Sequence, residues 1–194
     1  TGMPAPKVLG VVPGVMFLEA LDEARPGPKL WERFGADLAR MHASPGLSYG
    51  WSENYAFGPV NIINDPSDDW PQFWAEQRLA PFLPILPPAL ARRLEDLAAR
   101  LPEFLPKAPA PGLLHGDLWS GNLLPTQGAI HVIDPACYYG DGEVDLAMLH
   151  LFGSPGSGFW DGYGALETGW EERRAVYSLF PALVHVRLFG AGYH

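Results

Sequence analysis

The sequence predicts an α+β protein in which a short strand region precedes a mainly helical body. Two apolar runs near the start of the chain are separated by the turn residues Pro13 and Gly14, which indicates a β-hairpin. From Pro28 onward, most segments carry apolar residues at helical spacing. Between two of these segments, the stretch from Pro111 to Tyr139 contains apolar runs that are too short for helices. Together these patterns favour a small β region joined to a helical domain.

Composition limits the classes of protein to be considered. At 194 residues with 47% hydrophobic content, the chain is long enough for one domain with a substantial core. The net charge of −9 argues against nucleic acid as a partner, since phosphate backbones attract Lys- and Arg-rich surfaces. No apolar run is long enough for a membrane span, and no leader pattern begins at Thr1. Because the lone Cys137 cannot form an internal disulfide, we expect a packing role for it and a cytoplasmic location.

The first elements are two predicted strands, Lys7–Val11 and Val15–Glu19. Pro13 and Gly14 fit the central positions of a type II turn, because proline fixes φ at the first position and glycine tolerates the positive φ of the second. The chain then continues through an extended segment up to about residue 22. The sequence therefore predicts a hairpin that leads into the helical part.

Helical periodicity predicts the body of the protein. Pro28 near the start of the first helix, and Ser67-Asp68-Asp69 before the second, match the residues preferred at helix N-termini. The predicted helices are Pro28–Met41, Trp70–Leu83, Pro87–Leu105, Glu143–Phe152 and Trp170–Gly190. The segment Ser44–Ser67 is rich in Gly, Pro, Asn and aromatic residues, which predicts a long ordered loop. Such a loop inside a compact domain is more often functional than a linker.

The stretch Gly112–Tyr139 contains the residues that best indicate chemistry. Short apolar runs flank the polar loop HGDLWSGN, which presents Asp117 and Asn122. A turn then leads to a predicted strand, Ala129–Ile133, which ends in Asp134. Asn122 follows Asp117 by five residues, and Asp134 follows Asn122 by twelve. Each residue alone could be a turn former, but all three within one loop and hairpin favour a functional site.

This arrangement resembles the catalytic loop of the protein-kinase-like superfamily, in which Asp-x-x-x-x-Asn precedes a metal-binding Asp on the next hairpin. The resemblance implies that Asp117 is the catalytic base for the attacking hydroxyl group. It implies that Asn122 and Asp134 hold Mg²⁺, an ion that prefers oxygen ligands. It also implies an α+β, protein-kinase-like fold, with ATP as the phosphoryl donor.

The residues within and around these motifs match one family within the superfamily. HGDLWSGN, IDPACYYGDGEVDLAML and SDDWPQFWAEQRLAPFL closely resemble the fructosamine and ketosamine kinases, and the resemblance extends from about Pro6 to Tyr193. It implies phosphorylation of the 3-hydroxyl of a ketosamine, a sugar joined to a small-molecule or protein amine. Gly142 stands where the family usually has Arg, which leaves any role of that position open.

The resemblance also assigns residues that hold the nucleotide and the loop. Glu19, Ala20 and Leu21 would form the hinge that lends backbone groups to adenine, although an ordinary edge strand fits them as well. His115 would bond the backbone of the loop in a structural role. Asp145 would be the buried acid that holds the loop in place, or else an acid favoured by the dipole at the start of a helix.

Trp119 is the predicted substrate residue, because it lies two positions after the base in a loop too short and polar to be a core element. Its ring could stack on the sugar, with core packing as the alternative. Trp70, Tyr55 and Phe57 could line the same pocket, but for them we expect packing.

The resemblance divides the chain into two parts, a remnant of an N-terminal strand lobe with the hinge in 1–22 and a helical catalytic lobe in 23–194. A glycine-rich loop and the phosphate-binding Lys do not fit before the hinge, so we expect both upstream of Thr1. Two alternatives stay open, namely an aminoglycoside- or choline-type kinase and a pseudokinase without turnover. The sequence indicates neither a particular sugar-amine nor an oligomeric state.

Overall fold

The computed structural model describes residues 2–190 and shows the predicted order of a hairpin followed by a mainly helical body. The ends of the proposed parts at Thr1 and at residues 191–194 lie outside the described residues. The strands are β1 Val8–Val12, β2 Val15–Leu18, β3 Tyr55–Phe57, β4 Val60–Ile62, β5 Gly112–Leu114, β6 Leu123–Pro125, β7 Ile130–Val132 and β8 Tyr138–Gly140. The helices are α1 Pro28–His42, α2 Trp70–Phe73, α3 Pro88–Ala99, α4 Leu101–Phe104, α5 Glu143–Leu151, α6 Phe159–Tyr163, α7 Trp170–Tyr177 and α8 Leu179–Phe189.

The N-terminal hairpin agrees with the sequence prediction. β1 and β2 pair antiparallel, and Val12 pairs with Val15 across a turn in which Gly14 has a φ of 79°. The side chains of both strands are largely exposed on both faces. Backbone hydrogen bonds from Val132 to Pro4 and from Ala24 to Pro125 attach the flanking segments to β6 and β7. The hairpin therefore projects from the body next to the central stretch.

The second predicted helix is present but irregular. Asp69 caps it by accepting a hydrogen bond of 2.8 Å from the backbone nitrogen of Gln72, as expected for an Asp at this position. The α-helical turn α2 continues as a π-helical segment, Trp74–Leu79, and a 3₁₀ segment, Ala80–Ile85. Pro81 and Pro84 supply no backbone N–H, so regular α-helical bonding cannot extend through this end.

Two predictions of single long helices were wrong. The segment Pro87–Leu105 is divided into α3 and α4 at Arg100, whose φ is −106° and ψ is 3°. The segment Trp170–Gly190 is divided into α7 and α8 at Ser178. In both cases a proline, Pro102 or Pro181, lacks the N–H that a continuous helix requires.

The predicted loop Ser44–Ser67 contains a second hairpin, formed by β3 and β4 around Gly58. Isolated bridges join Tyr49 to Ser67 and Gly50 to Tyr139, which fixes the loop against β8. The loop is therefore ordered as predicted, but the hairpin was missed. Apolar residues on alternate positions around a Gly-Pro pair were the signal for it.

The core takes buried residues from each of the helices α1 to α8, from the π-helical extension of α2 and from the short strands of the body. The indole of Trp70 is fully buried and donates a hydrogen bond of 2.9 Å to the Tyr177 hydroxyl. This hydroxyl in turn donates a hydrogen bond of 2.7 Å to Asp141 Oδ2. Arg78 is also fully buried, with its guanidinium 4.4 Å from the centre of the Tyr138 ring and its Nη2 2.7 Å from Asn64 Oδ1. Over residues 2–190, the helices are too short or too polar to cross a bilayer.

Cys137 is half-buried, and burial, together with the charge of Asp145, raises its pKa to about 11. A thiol with a raised pKa is a poor nucleophile at neutral pH. The packing role predicted for this residue fits its environment.

Candidate active site

Short strand pairs carry the central loop. β5 pairs with β8, with Leu114 opposite Tyr138, and β6 pairs with β7, with Leu123 opposite Val132. The loop 115–122 connects β5 to β6. Gly116 has a φ of 82°, and a Cβ at this position would lie 2.0 Å from the carbonyl oxygen of Ala136. Only glycine allows the loop to pass this closely over the segment before β8.

Asp145, in the first turn of α5, lies under this loop. Its Oδ2 accepts a hydrogen bond of 2.7 Å from the backbone nitrogen of His115, and its Oδ1 accepts one of 2.9 Å from the backbone nitrogen of Gly116. Oδ2 also lies 3.1 Å from Nε2 of His42, which ends α1. Burial would raise the pKa of this fully buried carboxyl, but the His42 contacts and the backbone hydrogen bonds outweigh burial and lower the pKa. The charged form of Asp145 therefore anchors the loop.

The His115 ring joins the loop to the residue that follows β7. Its Nε2 lies 3.0 Å from the carbonyl oxygen of Ile133, and its Nδ1 lies 3.3 Å from the backbone nitrogen of Asp117. A carbonyl only accepts and a backbone N–H only donates, so the proton belongs on Nε2 and the lone pair on Nδ1. The structure thus places His115 in contact with the backbone of Asp117, while the predicted role of the residue stays a prediction.

Asn122 orients the predicted base. Its Nδ2 donates a hydrogen bond of 2.8 Å to the main-chain oxygen of Asp117 and one of 2.9 Å to Oδ2 of the same residue. Partial burial raises the pKa of Asp117, although the Asn122 hydrogen bond and the neighbouring His115 ring oppose that rise. The result is a fixed carboxylate that accepts a proton more readily than an ordinary aspartate.

Asp134 lies next to Asn122 across the β6–β7 hairpin, because the backbone nitrogen of Ile133 donates 3.1 Å to the Asn122 carbonyl. Asp134 has a φ of 52°, in the left-handed region that non-glycine residues seldom adopt. Strain of this kind costs on the order of 1–3 kcal/mol and is concentrated at functional sites. The Asp134 side chain is exposed.

Asn122 and Asp134, here called the cation corner, carry oxygen donors that fit Mg²⁺. Asn122 points its nitrogen at Asp117, which leaves its amide oxygen on the other side, and Asp134 adds a carboxylate. Mg²⁺ typically takes one or two protein oxygens, with substrate phosphates and water completing the shell. Within residues 2–190 there is no cluster of three or more His, Cys, Asp or Glu side chains suited to a metal. Asn122 and Asp134 could supply two of the oxygen ligands of such an ion, with phosphate oxygens and water as the others.

A cavity of about 250 Å³ opens beside Asp117 and Trp119. The Trp119 ring is 38% exposed and meets Phe152 edge-on, with ring centres 6.0 Å apart. A Cβ on Gly121 would lie 2.2 Å from the Trp119 ring, so the indole occupies the space that glycine leaves. The cavity is also lined by Phe57, Val144, Met148, Phe152, Val184 and Leu188.

The structure separates the aromatic residues that the sequence grouped together. Trp70, Tyr55 and Phe57 pack with the core, as expected, and Phe57 also lines the cavity. Sequence reasoning missed Phe152 and the residues of α8. The spacing of Val144 and Met148 on α5 and of Phe152 directly after it was an available signal, since residues four apart share a helix face.

The predicted hinge residues follow β2 directly. The Glu19 backbone nitrogen donates a hydrogen bond of 2.9 Å to the Lys7 carbonyl, and the Glu19 carboxylate accepts one of 3.2 Å from the Lys7 backbone nitrogen. This backbone N–H is engaged in closing the hairpin, which leaves Ala20 and Leu21 to supply any backbone donor to adenine. The role of all three residues stays a prediction.

Comparison with known proteins identifies relatives of similar sequence. The sequence model of the family described as fructosamine kinase matches residues 3–194. The probable ketoamine kinase of Synechocystis sp. is 40% identical over 191 residues, an alignment that covers 92% of this chain and 63% of that protein. The chloroplastic protein-ribulosamine 3-kinase of Oryza sativa is 36% identical over 171 residues, covering 82% of this chain and 50% of that protein. The chain thus spans one half to two thirds of the length of these relatives.

Solved structures show the same fold. A crystal structure of a candidate fructosamine-3-kinase from Thermobifida fusca matches with a TM-score of 0.90 and 39% identity, covering 100% of this chain and 70% of that one. A choline/ethanolamine kinase family protein from Mesorhizobium loti matches with a TM-score of 0.61 and 16% identity, covering 93% of this chain and 63% of that one. The predicted α+β, protein-kinase-like fold is confirmed.

Proposed function

The chain belongs to the fructosamine kinase family, and we propose that the protein transfers the γ-phosphoryl group of ATP to a hydroxyl group of a ketosamine. One observation carries this proposal. The carboxylate of Asp117 is held by Asn122 at the mouth of a cavity that Trp119 also lines. This geometry supports the proposal, in which Asp117 would be the base, with the cation site next to it and the Trp119 ring against the sugar.

Asp117 acts as the base. Its free carboxylate oxygen accepts the proton of the sugar hydroxyl group. The hydroxyl oxygen bonds to the γ-phosphorus as the bond from the γ-phosphorus to the bridging β-phosphate oxygen breaks, and ADP leaves. Phosphoryl transfer depends mainly on positioning, so the fixed orientation of Asp117 matters more than its basicity. The anchoring of the loop backbone by Asp145 and His115 maintains that orientation.

Asn122 and Asp134 would hold Mg²⁺, with Glu19, Ala20 and Leu21 as the hinge beside the adenine. When bound, Mg²⁺ supplies charge neutralisation of the phosphates. Two features of this chain support the assignment. Asn122 and Asp134 carry oxygen donors, and Asp134 has a strained backbone conformation of the kind that persists only where the surrounding structure holds it.

The substrate is a ketosamine, and we assign the 3-hydroxyl as the attacking group. The rice relative is named a protein-ribulosamine 3-kinase, and the Thermobifida structure is described as a fructosamine-3-kinase candidate. The exposed face of Trp119, near Asp117, suits stacking on the sugar. Residues 1–22 would belong to an N-terminal strand lobe and 23–194 to the catalytic lobe, in a protein of the cytoplasm.

A direct test offers ribulosyl-lysine, fructosyl-lysine, kanamycin and choline side by side to the full-length protein with ATP and Mg²⁺. We expect phosphate on the two sugar-amines, located at O3 by NMR, and none on the other two. An Asp117→Asn variant serves as the blank. Preference for kanamycin or choline would replace the ketosamine by another small-molecule substrate. No turnover of any of the four would favour a non-catalytic pseudokinase.

A further inference from the structure

The cavity beside Asp117 has apolar walls formed by two helices. Val144 and Met148 of α5 face it from one side, and Val184 and Leu188 of α8 face it from the other. Each pair is four residues apart, so each lies on one face of its helix. Phe57 closes a third side from the β3–β4 hairpin. None of the described residues that line the cavity is Lys or Arg.

Aromatic rings continue from Trp119 along the mouth of the cavity. Phe152 lies 6.0 Å from Trp119 and 4.8 Å from His185, and His185 lies 5.5 Å from Phe189, measured between ring centres. Trp119, Phe152 and Phe189 are 38%, 44% and 62% exposed. A run of exposed rings beside a cavity is typical of a surface that binds an apolar ligand.

The chemistry of a ketosamine connects this cavity to the reaction. Only a few bonds separate the reacting sugar hydroxyl from the amine nitrogen, so the substituent on that nitrogen must begin close to Asp117. An anionic substituent would lose hydration in the cavity, find neither Lys nor Arg among its described walls, and meet the acids Asp117 and Asp145. An alkyl chain would instead exchange water for contact with Met148, Val184 and Leu188.

We infer that this cavity receives the alkyl chain of the amine. The favoured substrates are then ketosamines of alkylamines, a class that includes the methylene side chain of a glycated lysine. This inference rests on the proposed function and deepens it, because it assigns the specificity for the amine half to α5 and α8. At about 250 Å³ the cavity has room for a chain of several methylene groups.

The test uses the full-length protein and one sugar, ribulose, on amines of increasing length: methyl, propyl, pentyl and heptyl. KM is measured by ADP release, and Kd is measured independently by calorimetry without ATP. We expect both constants to fall by about three- to fourfold per methylene at first, and then to level off once the cavity is filled. A pentyl-length chain that ends in a carboxylate should lose most of this gain.

Two variants change the cavity in opposite directions. Val184→Phe fills it and should reduce the ratio of methyl to pentyl Kd towards one. Met148→Ala enlarges it and should move the best chain towards heptyl, and this variant keeps the test open if the larger side chain prevents folding. Leu47→Ala, at a fully exposed position, is the control and should leave every ratio unchanged.

The outcomes separate the two proposals. Ketosamine turnover with KM and Kd independent of chain length would overturn this inference and leave the proposed function standing. Failure of every adduct both to bind and to react would overturn both. A steep gain with chain length that Val184→Phe or Met148→Ala alters as stated would support both.

Discussion

Asn122 fixes Asp117 through a single nitrogen, which lies 2.8 Å from the main-chain oxygen of Asp117 and 2.9 Å from its Oδ2. The amide therefore restrains both the backbone and the carboxylate of the residue that we propose as the base. Because one carboxylate oxygen is taken, the other is left to meet the substrate.

We expect Asp117→Asn to lower kcat by about a hundredfold to ten-thousandfold, the usual range for loss of a general base. Ketosamine Kd should change little, since the amide keeps the shape and loses the proton acceptor. Single-turnover kinetics and calorimetry measure the two effects separately. Asp96→Asn, at an exposed position on α3, is the matched control. A variant with near-normal kcat would remove Asp117 from the reaction.

The raised pKa of Asp117 predicts a pH effect. The base works only when deprotonated, so kcat/KM should fall as the pH drops through its pKa. Because burial raises that pKa, the acidic limb should lie above the ordinary value of about 4 for aspartate. A kcat/KM profile, with circular dichroism at each pH to verify folding, measures it. A limb at or below the ordinary value would contradict the assignment.

Asp134→Asn should keep the fold and lose Mg²⁺-dependent turnover. Asn tolerates the left-handed φ of 52° at least as well as Asp, so the change removes charge and little else. Losing a charged metal ligand should slow the reaction by on the order of a thousandfold. Turnover is followed against Mg²⁺ concentration, with Asp68→Asn as the exposed control. An unchanged Mg²⁺ dependence would speak against this cation corner.

Asp145→Asn should destabilise the folded state by about 2–4 kcal/mol, since a buried carboxylate with several donors is replaced by an amide. The folded pKa of Asp145 is lowered, so its stabilisation is present above about pH 4 and is lost as the pH falls towards the lowered value. Denaturant unfolding at pH 7 and pH 3.5 should therefore show a smaller difference between wild type and variant at the lower pH. Asp161→Asn, exposed on α6, should show no difference at either pH.

Gly121→Ala should displace the Trp119 ring, because the new Cβ would lie 2.2 Å from it. Stacking is a contact of about 1 kcal/mol, so we expect KM for the ketosamine to rise by roughly fivefold or more. Trp119→Ala should produce a similar rise, and adding Gly121→Ala to it should then have little further effect. Gly128→Ala, which meets nothing within 4 Å, is the control in the neighbouring turn. Additive effects of the two changes would show that they act separately.

The sequence predicted the hairpin, most helices and the loop with Asp117, Asn122 and Asp134, since these depend on local periodicity, turn chemistry and motif spacing. It missed the breaks at Arg100 and Ser178, where a proline interrupts an otherwise helical apolar pattern. It also missed the β3–β4 hairpin, because the Gly- and Pro-rich composition of Ser44–Ser67 indicated a loop and outweighed the short alternation of apolar residues around Gly58.

The amino-acid sequence by itself determined the family, the fold class and the chemical groups of the candidate site, because these reside in short motifs whose spacing is fixed along the chain. Only the tertiary structure decided what surrounds those groups. Asp145 lies twenty-eight residues beyond Asp117 and His185 forty residues beyond Asp145. Their convergence on the loop and its cavity depends on how α5 and α8 pack. Packing of this kind joins residues distant in sequence through apolar burial, which has no direction along the chain and therefore leaves no motif.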